Sequence, residues 1–398
     1  MPAVASSHST APTPAEAVAE LITQLREAAR GAPVAGGFLQ ATVRYDVVAL
    51  SRALAEALPG VPFVGVTTCQ GTATDRRRTD SGPALSALWL LGEDVRMQLA
   101  TTREPERVGS GAMLARTASA LSKPPGRQRF VVLHSTPGHE ERLLEEVGPL
   151  IGDQVPLLGG SAADDDLSGK WAVFGPNGFA AGKGAVLAVV DWPGRAVVAM
   201  HSTALVTPTH GRVTRAEGRT VFEIDGQPAA EVYDRWLGGA LAKSLGGGGS
   251  ILADTTLTPL GVRRPGGGVG SHVLIHPEAV VSGSNAMTTF KAVTPGQEVF
   301  LMKATRAAFL GRPASVVERL LADARIKPGN LRGALLVYCA GCMLTVKDST
   351  SLMLDGFKAA VGPVPFASGY FYGEQGCDVS GGKAEHGNLM TGVLLLSA

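Results

Sequence analysis

Apolar positions recur along this chain in three passes of the same order. In the first, Val47, Leu50, Leu54 and Leu58 fall at helical spacing. Val61-Pro62-Phe63-Val64-Gly65-Val66 follows, then the polar turn Thr67-Thr68-Cys69-Gln70-Gly71 and an apolar stretch at 84–91. The second pass opens on an apolar run at 130–134 and places Leu143, Leu144, Val147 and Ile151 on one helical face. It continues with Val155-Pro156-Leu157-Leu158-Gly159-Gly160, the loop Ser161-Ala162-Ala163-Asp164-Asp165, and an apolar stretch at 185–190. The third opens at 334–339 and spaces Leu352, Leu354, Phe357 and Val361 along a helix. It closes with Val364-Pro365-Phe366-Ala367-Ser368-Gly369, the loop at 370–376, and an apolar stretch at 390–397. Each pass predicts a helix, a strand opened by Val-Pro, a small or polar loop, and a buried strand. Proline suits a strand's first residue, where no ladder donor is lost. Three passes in one order predict internal duplication.

Outside the repeat, the polar and small residues 1–14 predict a disordered N-terminus. Val18, Leu21, Ile22, Leu25 and Ala29 predict an amphipathic helix from Ala15, stopped by Gly31 and Pro33. Residues 212–234 read as a strand pair with a turn signal at Asp225-Gly226. Gly246–Gly249 and Gly266–Gly270 read as flexible connections. Neither meets the context of a nucleotide loop: the first lacks a P-loop lysine and the second follows Pro265.

A length of 398 residues implies two domains. The hydrophobic fraction is 45% but the aromatic fraction only 5%, so Val, Leu and Ala must build the cores. Thirty-six basic residues balance thirty-five acidic ones, which excludes nucleic acid and an anionic membrane surface as the expected partner. Arg76-Arg77-Arg78 reads as a solvated loop. No apolar stretch approaches the ~20 residues of a membrane span. The N-terminus has no apolar leader core, and four cysteines are too few for a disulfide scaffold. The expectation is a cytoplasmic α/β protein of two similar lobes, their mixed or antiparallel sheets packed as an αββα sandwich. Its pocket should lie where lobes meet, rimmed by the loops after the Val-Pro strands.

The candidate chemistry concentrates in the third pass. Cys339 and Cys342 form a C-x-x-C pair. Structural zinc would need Cys69 and Cys377 to converge on them; otherwise each cysteine is a small buried hydrophobe. Cys339 ends a strand, where pocket walls form. Period two puts Tyr370, Tyr372 and Glu374 on one side of an extended segment, as recognition groups for a cationic or hydrogen-bond-donating ligand, or as packing and a solvated carboxylate. Asp164-Asp165-Asp166 reads as a solvated loop before it reads as a cation site. Eight histidines are scattered along the chain. His386 is the first candidate for a single haem ligand, ahead of His134 and His201. Cys339, His386 and Glu374 would make a nucleophile set if they met.

Gly159-Gly160-Ser161-Ala162-Ala163-Asp164-Asp165 and Gly369-Tyr370-Phe371-Tyr372-Gly373-Glu374 resemble the two halves of the FIST family. Gly65-Val66-Thr67-Thr68-Cys69 is similar to an element of its N domain, and residues 213–229 to the segment joining the halves. The resemblance covers roughly 34–398 and implies an N-type domain over 15–230 and a C-type domain over 231–398. It implies a small-ligand sensor in signal transduction, with Cys339, Tyr370, Tyr372, Glu374, Asn388, Cys69, Ser161 and Asp164 as candidate binding residues. No output domain is read here, so the expected partner is a separate protein such as a histidine kinase. A haem-binding, nitric-oxide-responsive role is the narrower alternative, with His386 as ligand; an enzyme using Cys339 is another. Two departures stand out. Gly387 separates His386 from Asn388, where the family has His-Asn. Cys342 occupies the place of an arginine in the family's Cys-x-Gly-Arg element, which implies a different ligand if that arginine pairs an anion.

Overall fold

Each Val-Pro segment does the same backbone work. The carbonyls of Pro62, Pro156 and Pro365 accept from the amides of Gly37, Val131 and Ala334, at 3.1, 2.8 and 3.0 Å. Proline thus gives up a donor on the unused side and keeps its acceptor in the ladder. Starting one residue after the proline, strands Phe63–Thr68, Leu157–Ser161 and Phe366–Phe371 run parallel to Val34–Thr42, Gln128–Ser135 and Leu331–Cys339. Parallel neighbours need a crossover, and helices Val47–Ala57, Glu140–Ile151 and Thr350–Val361 supply it. A fourth strand, Leu85–Leu91, Ala185–Trp192 or Thr391–Ser397, pairs antiparallel with the first. The computed structural model describes residues 3–264, 271–378 and 382–398; the Gly266–Gly270 stretch lies outside them.

Among the described residues these units give three six-stranded sheets with one strand order. The far edge of each is closed by a hairpin from another unit. Thr72–Thr74 of the first pairs with Phe366–Phe371 of the third. Val173–Phe174 of the second pairs with Phe63–Thr68 of the first. Glu374–Gly376 of the third pairs with Leu157–Ser161 of the second. The exchange closes a ring.

Alternation along the strands fills both faces. Leu335 and Val337 point into a shared core with Phe38, Val64, Phe130 and Leu158, where all three sheets meet. Ala334, Leu336 and Tyr338 point outward under helices Arg306–Ala324 and Thr350–Val361. Helices Pro14–Ala29 and Val47–Ala57 cover the first sheet, and Ser110–Ala118 and Glu140–Ile151 the second. The chain is therefore α/β with mixed and antiparallel sheets, packed face to face with helices outside. Two units make the N-terminal lobe. The third joins a nine-stranded antiparallel sheet, built between residues 205 and 303, in the C-terminal lobe.

Two local expectations are corrected. Residues expected to be disordered form strand Ala3–Ser9, paired along its whole length with Leu85–Leu91. Its serines are small enough for a buried edge and are satisfied there: Trp89 Nε1 donates to Ser7 Oγ at 2.7 Å and Ser9 Oγ donates to Glu20 Oε2 at 2.6 Å. The Asp225-Gly226 turn does form, with both residues at positive φ, but it joins Thr220–Ile224 to Gln227–Pro228. Residues 229–234, expected in the strand pair, belong to the helix Ala229–Trp236. No helix among the described residues is long and apolar enough to cross a membrane.

The central core holds a fully buried histidine. His134 stacks on Phe371 across two units, with ring centroids 5.8 Å apart, and burial lowers its pKa from 6.5 to about 4. The packing is close: a Cβ at Gly160 would lie 2.6 Å from the Phe371 ring. Between pH 6.5 and about 4 the unfolded chain binds a proton that folded His134 refuses. Stability from this residue is thus complete above pH 6.5 and falls with pH through that window, by up to about 3 kcal/mol. Urea midpoints measured from pH 7 to pH 4.5 should fall, and His134→Asn should flatten part of the fall. Equal slopes in both proteins would contradict a neutral core histidine.

Candidate ligand-binding site

The loops that follow the Val-Pro strands meet at one end of the ring. The Cys69 amide donates to the Tyr370 carbonyl at 2.9 Å, Ala163 N to Thr67 O at 2.9 Å, and Ser161 N to Gly373 O at 2.9 Å. Beside this junction, between the third sheet and the nine-stranded sheet, lies a cavity of about 520 Å³. Its walls come from Cys339, Gly341, Leu344 and Thr345 at the end of strand Leu331–Cys339, from Phe371, Tyr372 and Asn388, and from Leu252, Ala253, Thr256, His276 and Phe290 of the added sheet. Asp165, Asp166 and Leu167 of the N-terminal lobe complete it.

Gly341 keeps this chamber open. The point its Cβ would occupy is 3.1 Å from a Leu389 methyl, 3.7 Å from Cys339 Sγ and 3.8 Å from His276 Cε1. Asn388 is the polar fixture. It is 2% exposed, its Oδ1 accepts from His276 N at 3.3 Å, and its own amide donates to Leu274 O at 3.0 Å. Its Nδ2 has no hydrogen-bond partner among the described residues. A buried amide left without an acceptor costs about 1–3 kcal/mol, so a carbonyl or ring nitrogen placed there is favoured. His276 Nε2 faces the Leu252 carbonyl at 3.3 Å, and burial lowers its pKa to about 4. The ring is neutral at physiological pH.

Tyr372 ties the rim to the floor. Its hydroxyl donates to the Asp164 carbonyl at 2.6 Å and accepts from Leu167 N at 3.3 Å, and its ring meets Trp171 edge-on. Burial raises its phenol pKa. Asp164 is wholly buried and organises the loop: Oδ1 accepts from Leu167 N at 2.7 Å and Oδ2 from Lys170 N at 2.8 Å. Asp165 pairs with Arg44 at 2.7 Å.

Of the residues singled out from sequence, Cys339, Tyr372 and Asn388 line the chamber. Cys69 and Ser161 lie under the rim. Burial pushes the Cys69 thiol up to about 12, and Ser161 Oγ donates to Glu140 Oε1 at 2.6 Å. Tyr370 points into the outer core against Tyr338. The expected common face of Tyr370, Tyr372 and Glu374 does not form, because Tyr370 ends a strand of the third sheet and Glu374 begins one in the second. Glu374 is fully buried behind Cys339, and burial holds its carboxyl well above the usual range. A neutral acid there offers a cation no counter-charge.

Of the Cys339–His386–Glu374 set, Glu374 lies within hydrogen-bonding reach of Cys339, but His386 does not join them. Gln375 and His386 are directly paired and share one face of their hairpin, while Glu374 pairs with Gly387 on the other. His386 sits in a polar network instead. Its Nε2 donates to Phe290 O at 3.2 Å and its Nδ1 lies 3.3 Å from Gln375 Nε2. With both nitrogens engaged and the ring outside the chamber, His386 does not fit as a haem ligand. His134 is in the central core, and His201 lies 2.6 Å from Asp378. Among the described residues no group of three or more His, Cys, Asp or Glu could hold a metal ion.

His276, Phe290, Leu252, Thr256 and Phe371 were not singled out from sequence. Four of them belong to the added sheet region, which carries no repeat. Phe371 had a signal in its place inside the Gly-Tyr-Phe-Tyr-Gly-Glu run, and His276 in standing four residues after His272.

The profile of the FIST N domain matches residues 37–227, and that of the FIST C domain residues 229–377. No curated protein matches. Among solved structures, one titled "Cyanuric acid hydrolase: evolutionary innovation by structural concatenation" is 10% identical, covers 100% of both chains and has a TM-score of 0.41. Another, a cyanuric acid hydrolase from A. caulinodans, is 10% identical, covers 100% of this chain and 99% of that one, and has a TM-score of 0.35. Likenesses this remote do not speak to function.

Tyr372→Phe should leave the fold intact and cost about 1–2 kcal/mol, the scale of a buried hydrogen bond lost with its acceptor. Hydrogen exchange should quicken at Asp166–Ser168 and not in the central strands. Unchanged exchange in that loop would mean that Tyr372 does not hold the rim.

Proposed function

Because the chain belongs to the FIST family, whose domains are sensory domains for small ligands, we propose that its ligand occupies this chamber and that the bound state is read by a separate signalling protein. A histidine kinase is the partner class in keeping with this reading. The single observation that carries it is the unpartnered Asn388 amide in the wall of a mostly apolar chamber. A cavity of about 520 Å³ suits a small molecule, since ligand sites run from roughly 300 to 1,000 Å³.

The lining argues for the ligand's chemistry. Phe290, Phe371 and Tyr372 favour a flat molecule, and Asn388 favours one with a carbonyl or ring-nitrogen acceptor. The charges of Asp165 and Asp166 are at the rim, so the ligand is uncharged where it is buried. Such a molecule would bridge the added sheet, the third unit and the N-terminal loop at once. A ligand that touches three segments favours the arrangement in which all three are closed on it. Phe290 offers the route outward. Its carbonyl accepts from His386, and two residues on, Ala292 N donates to Glu141 Oε1 at 2.7 Å. Glu141 and Glu140 share Arg219 at 2.8 and 2.6 Å.

Native mass spectrometry of the protein as purified from cells tests the reading. A bound small molecule is expected on the wild type and should be absent from Leu252→Trp, which fills the chamber. Readdition of the extracted compound should bind Asn388→Ala at least about tenfold more weakly, the ~1.4 kcal/mol of one hydrogen bond. A compound that binds both variants as tightly as the wild type would remove the chamber as its site.

A further inference from the structure

The thiol in the chamber wall has a neighbour that the ligand reading does not use. Cys339 stands at the N-cap of the short helix Ala340–Thr345, with extended backbone angles of φ −65° and ψ 132°. Cys342 is on that helix's first turn. Residues three apart on a helical turn have Cα atoms about 5 Å apart, inside the span a disulfide bridges. Both cysteines are free, and the Cys339 thiol is within hydrogen-bonding reach of the Cys342 thiol. We propose that Cys339 and Cys342 are a reversible dithiol–disulfide pair, oxidised by a small peroxide that enters through the chamber.

The geometry divides the roles. Cys339 lines the chamber and so meets the oxidant. Cys342 is fully buried and does not line the chamber. The Cys339 sulfur attacks one oxygen of hydrogen peroxide; the O–O bond breaks, a Cys339 sulfenic acid forms, and water leaves. The Cys342 sulfur then attacks that sulfenic sulfur, the S–O bond breaks, and a second water carries off the oxygen with the remaining proton. Two thiols lose two electrons and two hydrogens in all, and the peroxide becomes two waters.

A third group supports the second step. Arg312 is fully buried, and its Nε donates to Thr203 Oγ1 at 3.1 Å. Its Nη1 donates to the Leu389 carbonyl and lies 3.6 Å from Cys342 Sγ, while its Nη2 has no partner. A guanidinium at that place offsets negative charge gathering on Cys342 as it attacks. The first step is slow by the same structure, because burial keeps the Cys339 thiol well above its usual range. Forming the bond also turns the Cys339 sulfur from the chamber wall toward the helix, so oxidation alters the binding surface itself.

The full-length protein should be treated with excess hydrogen peroxide, alkylated after denaturation, and digested. The expected product is a peptide with an internal 339–342 disulfide, two hydrogens lighter and restored by dithiothreitol, while Cys69 and Cys377 remain alkylated. In Cys342→Ala, dimedone should trap a sulfenic acid on Cys339. Alkylated Cys339 and Cys342 after peroxide, or Cys339 carried to sulfinic acid with Cys342 still a free thiol, would overturn the pair. Trapping on Cys342 in Cys339→Ala, with none on Cys339 in Cys342→Ala, would overturn the order of attack. The wild-type measurement does not depend on either variant folding.

Discussion

Every Val-Pro strand has one side paired with its own unit and one side bare, and the protein depends on covering that bare side. A strand edge buried beside a core cannot leave its N–H and C=O groups without partners. Here the cover always comes from a different unit, through a short hairpin that leaves the end of its own strand. One unit alone is therefore incomplete, and three close a ring. The site follows from this arrangement. Hairpins must leave from the same end of each sheet, so the loops around Thr67–Cys69, Ser161–Asp164 and Tyr370–Gly373 converge there and brace one another by backbone hydrogen bonds.

The ring was legible in the sequence because it rests on local rules repeated three times. Helical spacing, Val-Pro and a following apolar run need no long-range information, and the helix and the Val-Pro strand of each pass formed as read. What failed was inference across a sheet boundary. Tyr370 and Glu374 are four residues apart, and period two unites them only if the strand continues; here it stops at Phe371 and the chain enters another sheet. The N-terminal strand failed for a different reason. Its Ser and Ala residues have weak hydrophobicity, and only neighbours such as Trp89 and Glu20, distant in sequence, make their burial favourable. His276 and Phe290 come from the added sheet, whose strands carry no repeat to mark them. Asn388 and Cys339 were found because they lie next to the repeated strands.

The chamber sits where repeated and unrepeated structure meet. Its floor belongs to the ring and resists movement, as every strand there is held on both sides. Its far wall belongs to the nine-stranded sheet, which has its own core around Val221, Tyr233, Ile275 and Leu301. A cavity between two separately packed bodies can change width without either core being disturbed. The His386 and Arg219 contacts connect that wall to the N-terminal lobe. A thiol, an unpartnered amide and a neutral histidine can thus face one small volume without strain on the fold.

The exchanged hairpins also set the order in which the chain can be made. Val173–Phe174 can close the first sheet while the chain is still emerging, but the second sheet waits for Glu374–Gly376. The hairpin around Thr72–Thr74 has no partner until Phe366–Phe371 exists. For most of synthesis the N-terminal lobe is thus an unfinished sheet with an open margin beside an apolar face, a form prone to sticking to its neighbours. Pairings so distant in sequence make for slow folding. Heterologous production should accordingly be limited by nascent-chain aggregation, with yield rising under slower synthesis or added chaperone.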